Sequence, residues 1–573
     1  MSSKYLDIED DNFYESINKN YAKYKIAKKQ KKTLKQICFP KKYEFQIPQK
    51  FLAEFINPKT PYRGILVYHR IGAGKTCTAI NIAEKFKKVR KIIVVLPAAL
   101  KGNFRSELRS PCAGNNYITD QERKLLKQYH PSSQEYKAII SKSDARIDKY
   151  YIIYSYNKFI ELIKFDRLKL INTLLIIDEI HNMISETGIY YELLYHAIKS
   201  APEDMRLVIM SATPIFDKPV EIALTMNLLL PEDKQLPIGQ EFINTFIDIK
   251  ETSKGPRYKV KNMDLFKDYI RGYVSYYRGA PPIVFPRSEI IIVKTKMSDI
   301  QRRIYKKIIS KEQKTDKIKD YVNIDISNSF FIGTRIASNI VFPNRQFGLS
   351  GFNSLKDDDL SMGKIKEYSP KFFKILRKIK RCKGTVFVYS NFKEFGGIRS
   401  FARLLEHHRY KNYEFNGVGK KRFAVLTGEQ DAILKDEIKT IFNDKNNQYG
   451  QQIKVILGSP SVKEGFSFLR IQEVHIIEPY WNWSRMEQII GRAIRFCSHK
   501  DVPYDEQFVK VYIYLAVDPS IVLSIDQRIM RIAIQKALVN GKFSRAIKEV
   551  AVDCELFKNA NVYSDEESID CDK

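Results

Sequence analysis

Residues 64–86 read GILVYHRIGAGKTCTAINIAEKF. An apolar, β-branched run stops at a turn with two glycines, and a helical pattern starts behind it. A Gly-Lys-Thr at such a strand-to-helix turn has the chemistry of a phosphate-binding loop. Gly72, Ala73 and Gly74 let backbone N–H groups turn inward around phosphate oxygens, and the helix start adds a favourable dipole. Lys75 would reach the β- and γ-phosphates, and the Thr76 hydroxyl would ligate Mg2+. The usual pattern opens with glycine, and His69 holds that place here. It precedes the inward-facing amides, so the slot tolerates another residue.

The same texture continues outward from this turn. RKIIVVLP, YYIIYSY, NTLLIIDE and MRLVIMSATP are apolar runs separated by helical stretches, as buried parallel strands read. Residues 43–215 are therefore expected to form one α/β domain. Residues 216–370 are less regular: an apolar helix, VEIALTMNLLL, then polar stretches that read as a partly helical insertion or linker. A second α/β texture spans 371–517, with KGTVFVYS, RFAVLTG, IKVILGS, EVHIIEP and VKVYIYLA. Residues 518–573 read as a helical extension ending in an acidic tail, and residues 1–42 as a basic arm outside the core.

The chain has 573 residues, 97 Lys plus Arg against 66 Asp plus Glu, and a net charge of +31. An excess this large, spread along the sequence, fits a polyanionic partner, above all nucleic acid. The seven cysteines form no CxxC pair, which argues against a zinc ribbon or a disulfide framework and for a reducing compartment. The acidic start MSSKYLDIEDD is no secretory signal, and no apolar run is long enough for a membrane span. A soluble intracellular protein is expected.

Three further stretches carry chemistry. LLIIDEIH places Asp178 and Glu179 at a strand end, Asp178 to hold Mg2+ and Glu179 to orient and deprotonate the attacking water. In MSATP, the Ser211 and Thr213 hydroxyls could bond His181 or those carboxylates and couple nucleotide state to neighbouring elements. In QIIGRAIRF, Arg492 and Arg495 are spaced i, i+3 and are expected on one helix face, as fingers for the charge developing on a transferred phosphate.

In this order HRIGAGKT, DEIH, SATP and QIIGRAIR resemble motifs I, II, III and VI of superfamily 2 helicases and translocases, with DEIH similar to a DEAH box. The resemblance covers roughly residues 43–516. It implies two RecA-like domains in tandem, ATP and Mg2+ as cofactors, and nucleic acid lying across both. By the same resemblance Gln49 in FQIPQKF is the adenine-sensing glutamine, Gln488 opens motif VI as a catalytic residue beside Arg492 and Arg495, and His181 and Gly465 contact the nucleotide. Pro97 and Ala98 (motif Ia), Ser390 and Asn391 (motif IV), Thr427 and Gly428, and Ser459 (motif V) face nucleic acid.

SEIIIVKTKMSDIQRRIY resembles an element of Swi/Snf-type duplex-DNA translocases. YVSYYRGAPPIVFP, YSPKFFKIL, GRAIRFCSHKDVP and AVDCELF resemble the transcription ATPases of poxviruses and other large cytoplasmic DNA viruses. The resemblance implies a translocase acting in viral transcription, in early initiation or termination. Duplex DNA is favoured over RNA or single strands. RNA polymerase or another transcription-factor subunit would be the partner, and virion and host cytoplasm the location. Two alternatives stay open: a strand-separating RNA or DNA helicase, and a non-enzymatic transcription scaffold. The presence of Lys75, Thr76, Asp178, Glu179, Arg492 and Arg495 disfavours the scaffold.

Overall fold

A computed structural model describes residues 5–27, 33–40, 43–70, 72–130, 133–184, 188–250, 252, 256–313, 326–460, 466–562 and 568–572. The chain forms two compact units, Met1–Ala280 with Leu538–Lys573, and Pro281–Ala537.

The first unit is built on strands β1 (Gly64–His69), β2 (Lys91–Leu96), β3 (Tyr151–Ser155), β4 (Thr173–Asp178), β5 (Arg206–Ser211) and β8 (Val274–Tyr277). They form one sheet in the order β3-β2-β4-β5-β1-β8, every pairing parallel. Helices cover both faces of such a sheet, which is why β1 and β4 are buried along their whole length and read as unbroken apolar runs. A separate hairpin joins β6 (Ile247–Lys250) to β7 (Arg257–Val260).

The second unit holds β9 (Arg287–Lys296), β10 (Thr385–Tyr389), β11 (Lys411–Asn412), β12 (Arg422–Leu426), β13 (Val455–Gly458), β14 (Ile471–Ile476) and β15 (Phe508–Val517). They form a second parallel sheet, ordered β11-β12-β13-β10-β14-β15-β9. Two parallel sheets with helices bear out the RecA-like α/β architecture. The region 216–370 is shared between them: β8 edges the first sheet and β9 the second. Met297, Gln301 and Tyr305, spaced four apart behind β9, are buried anchors. Gln301 Nε2 donates to the Ala337 carbonyl at 2.8 Å, and the Tyr305 hydroxyl accepts from the Ile525 amide at 2.7 Å.

The C-terminal helix Cys554–Asn561, part of the expected helical extension, packs Leu556 and Phe557 into the first unit's core. Two findings depart from the sequence reading. Helix Phe13–Asn20, expected in a solvated arm, buries Phe13, Tyr14 and Ile17 in that core, because three apolar side chains outweigh the polar residues around them. The cysteines do pair: Cys77 with Cys112, and Cys554 with Cys571. Separations of 35 and 17 residues leave no local spacing to betray them. No helix among the described residues is long and apolar enough to cross a membrane.

Candidate active site

Beyond the carboxyl end of β1, residues 72–74 lead into helix Lys75–Phe86, capped by Gly74. Gly74 caps this helix at φ 72°, in the left-handed region where a side chain is strained, and a Cβ there would lie 2.7 Å from Gln49 Nε2. No side chain caps the helix start, so its first amides face the turn, where an anion would sit. Thr76 is half-buried in that first turn, and the Cys77–Cys112 disulfide ties it to the turn Pro111–Ala113. Gln49 is buried, donating to the Gly74 carbonyl at 3.2 Å and accepting from the Gln46 amide at 2.9 Å.

The carboxylates stand two strands away, at the end of β4. Lys75 Nζ meets Glu179 Oε1 at 2.8 Å, joining the turn to the acidic pair. Burial opposes the Lys75 charge, but Glu179 and Asp178 outweigh it and hold the ammonium above the usual lysine range. Glu179 lies at φ 53°, a left-handed conformation rare for a residue with a side chain. Tyr156 holds it there: its hydroxyl donates to the carbonyls of Asp178 and Glu179, the latter at 2.9 Å. The Glu179 amide donates to Asp178 Oδ1 at 3.0 Å. His181 Nδ1 lies 3.4 Å from Glu179 Oε2, and its ring stacks on Phe216 with centroids 4.7 Å apart.

The hydroxyls after β5 turn elsewhere. Ser211 Oγ accepts from the Thr213 amide at 3.0 Å and not from His181, because the strand end closes on itself. The Thr213 hydroxyl is buried with no hydrogen-bond partner among the described residues. Thr76 and Asp178 offer a hydroxyl and a carboxylate, the hard oxygen donors that suit Mg2+. Sequence reasoning missed Tyr156 and Phe216, which fix the acidic turn, and Gly279. A Cβ on Gly279 would lie 3.1 Å from the Ala73 amide nitrogen, so β8's outgoing turn presses on the phosphate-loop candidate. The sequence signal was the RGAPP stretch.

In the second unit, helix Trp483–Ile490 carries the half-buried Gln488 and stops at Gly491. Arg492 and Arg495 therefore lie in the turn that follows, not on a helix face. They converge all the same: both Nη1 atoms donate to the Phe466 carbonyl, at 3.2 and 3.3 Å, and Arg495 also to Ser467 Oγ. Burial lowers the pKa of Arg495. Residues 461–465, with Gly465, lie outside the described residues.

The residues assigned to nucleic acid all fall at carboxyl ends of strands. Pro97 is buried and Ala98 exposed after β2. Ser390, fully buried, donates to Glu478 at 3.0 Å, while Asn391 Oδ1 accepts from the Tyr389 hydroxyl at 3.1 Å. Burial raises the pKa of Glu478. Thr427 is buried on Gln430, Gly428 is exposed, and Ser459 is buried after β13. The hydroxyls of Ser390, Thr427 and Ser459 are thus buried within these turns, and Ala98 and Gly428 are the exposed positions. Trp481 packs inside, stacked on Tyr480 with Arg335 over its ring.

Comparison with known proteins agrees with this geometry. Residues 23–216 match the family of the type III restriction enzyme res subunit, and residues 371–497 the helicase conserved C-terminal domain. The chain is 68% identical, over all of both sequences, to a putative ATP-dependent RNA helicase of Acanthamoeba polyphaga mimivirus. It is 31% identical over 90% of its length to a putative helicase of Invertebrate iridescent virus 3, spanning 54% of that protein. A termination factor NPH-I homolog of African swine fever virus is 25% identical over 86% of this chain and 76% of its own.

Proposed function

This chain belongs to the superfamily 2 helicases, nucleic-acid-dependent ATPases, and from that premise we propose that it is a translocase on duplex DNA acting in viral transcription. The ion pair of Lys75 with Glu179 carries the assignment of the site, since it joins phosphate loop and acidic turn in one place.

The division of labour follows from the side chains. The amides of residues 74–76 and the Lys75 ammonium bind the phosphates, while the Ala73 amide donates to the Arg70 carbonyl at 3.1 Å. Thr76 and Asp178 would hold Mg2+, which supplies positive charge to the phosphate oxygens. Glu179 orients the attacking water and takes its proton, and binding of ATP would draw Lys75 away from it. Gln49, on the loop's last glycine, is the contact for adenine, with His181 and Gly465 as further nucleotide contacts and Gln488 as a further catalytic residue. Arg492 and Arg495 supply charge to the phosphate in transfer. Ser211 and Thr213 couple the site to its surroundings. The turns at Pro97–Ala98, Ser390–Asn391, Thr427–Gly428 and Ser459, of which Ala98 and Gly428 are exposed, meet the sugar-phosphate backbone.

The likeness to the NPH-I homolog supports a transcriptional role, with a polymerase or transcription-factor subunit as partner and virion and host cytoplasm as setting. The named activity of the mimivirus relative favours a second reading, an RNA helicase. ATPase rates with duplex DNA, single-stranded DNA and RNA, beside a strand-displacement assay, separate the two. Duplex DNA should stimulate most, without displacement of a blunt duplex. Stimulation by RNA alone, or efficient displacement, would overturn the translocase reading.

A further inference from the structure

Behind the phosphate loop, the returning C-terminal segment lies along β8. The Val552 amide donates to the Val274 carbonyl at 2.8 Å, and the Tyr276 amide to Asp553 Oδ1 at 2.9 Å. Ser275 Oγ donates to Asp553 Oδ2. Asn561 closes the far end, its Oδ1 accepting from the Arg278 amide at 2.9 Å and its Nδ2 donating to the Tyr276 carbonyl at 3.1 Å. β8 in turn pairs with β1, Tyr277 opposite His69. His69, the residue that replaces the usual glycine, sits with Nε2 3.3 Å from Ser275 Oγ. Asp553, Ser275 and His69 are each fully buried.

A serine hydroxyl has one proton, and that fixes the direction of the chain of bonds. An ionised Asp553 only accepts, so the Ser275 proton points to it. Ser275 Oγ must then receive the proton on His69 Nε2, which leaves Nδ1 bare. Nδ1 is buried and has no hydrogen-bond partner among the described residues. A neutral Asp553 would reverse the chain: its proton goes to Ser275, the Ser275 proton to Nε2, and His69 carries its own proton on Nδ1.

We propose that Asp553, acting through Ser275, is a positioning residue for the phosphate loop, fixing His69 in the tautomer whose bare Nδ1 accepts an amide of the loop when ATP binds. This rests on the reading of residues 69–76 as the ATP phosphate loop. The ring stays neutral because burial, and then the Lys75 charge, push its pKa down to about 3. Burial pushes the Asp553 carboxyl up to about 7 against the hydrogen bonds it accepts, so the ionised form belongs to pH above that value. The titratable groups around Asp553 are His69 on β1, the Tyr14 phenol, raised by burial, on helix Phe13–Asn20, and Lys548, whose ammonium lies over the Tyr276 ring at 5.2 Å.

Asp553→Asn keeps the shape but donates where the carboxylate accepts, so it imitates the neutral acid. Nitrogen shifts of 15N-histidine in the full chain, read without nucleotide, should show the His69 proton move from Nε2 to Nδ1. The KM for ATP should rise about tenfold, the cost of facing a buried donor with another donor, with kcat little changed. In the wild type, KM should climb as pH falls through about 7, and in Asp553→Asn it should not. Ser275→Ala breaks the relay while leaving Asp553 on the Tyr276 amide and should also raise KM, whereas Ser275→Thr should behave as wild type. An unmoved proton in a folded Asp553→Asn, or a moved proton with unchanged KM, overturns the proposal. If Lys75→Ala keeps full ATP affinity, the phosphate-loop reading fails instead, and a tautomer shift seen without nucleotide still stands.

Discussion

Lys75 and Glu179 pair with each other, and the two substitutions that separate them should behave differently. Lys75→Ala removes a phosphate contact and strands the Glu179 charge. ATPase activity should fall by about a hundredfold or more, the usual loss when a preorganised charge contact to the transition state is deleted. Glu179→Gln keeps the size and a polar contact to Lys75 while abolishing the base. Turnover should drop by about 10²–10⁴-fold, with ATP still bound and recoverable unhydrolysed from the complex. Equilibrium binding of a fluorescent ATP analogue, set beside phosphate release, separates the two effects. Loss of binding in Glu179→Gln would show that the residue holds nucleotide rather than water. Tyr156 stabilises the strained backbone at Glu179, so the proposed base is aimed by a side chain 23 positions upstream.

The elements that carry these residues differ in how plainly the sequence announced them. β1, β4, β5 and β10 are buried on both faces, so each appears as a continuous apolar run, and the motifs at their carboxyl ends were legible with them. β8 was not: VSYY is four residues long, mixes polar with apolar, and follows an irregular stretch. The Ser275–Asp553 bond spans 278 positions, and no local pattern encodes such a contact. Arg492 and Arg495 fall between these cases: their identity was legible, their helical placement was not, because Gly491 ends the helix first. In a turn, both guanidiniums can leave the Phe466 carbonyl without unwinding a helix, as their proposed role on the transferred phosphate requires. Arg492→Ala and Arg495→Ala should therefore lower kcat steeply, by about a thousandfold for a group that neutralises transferred charge, while ATP affinity changes little. Equal losses in binding and turnover would assign the pair to the folding of the 466–467 turn instead.

Across the whole chain the dominant quantity is charge, and its excess is locally uncompensated. Along helix Pro370–Arg381, Lys374, Arg377, Lys378, Lys380 and Arg381 have no ion pair among the described residues. Burial, and then Lys378 and Arg377, hold the Lys374 ammonium below the usual lysine range, as expected where cations face cations. Such a surface binds a polyanion by displacing its counterions, so the affinity is set by salt. If the turns proposed to meet nucleic acid present backbone rather than base-reading side chains, binding goes through phosphates and should be insensitive to sequence. For six to ten neutralised phosphates, affinity for a duplex should fall by roughly 10³–10⁵-fold between 50 and 200 mM salt. Anisotropy titrations across that range, on two duplexes of unrelated sequence, should give the same slope for both. A shallow slope, or one that differs between the duplexes, would mean that base contacts rather than the net charge of +31 hold the nucleic acid.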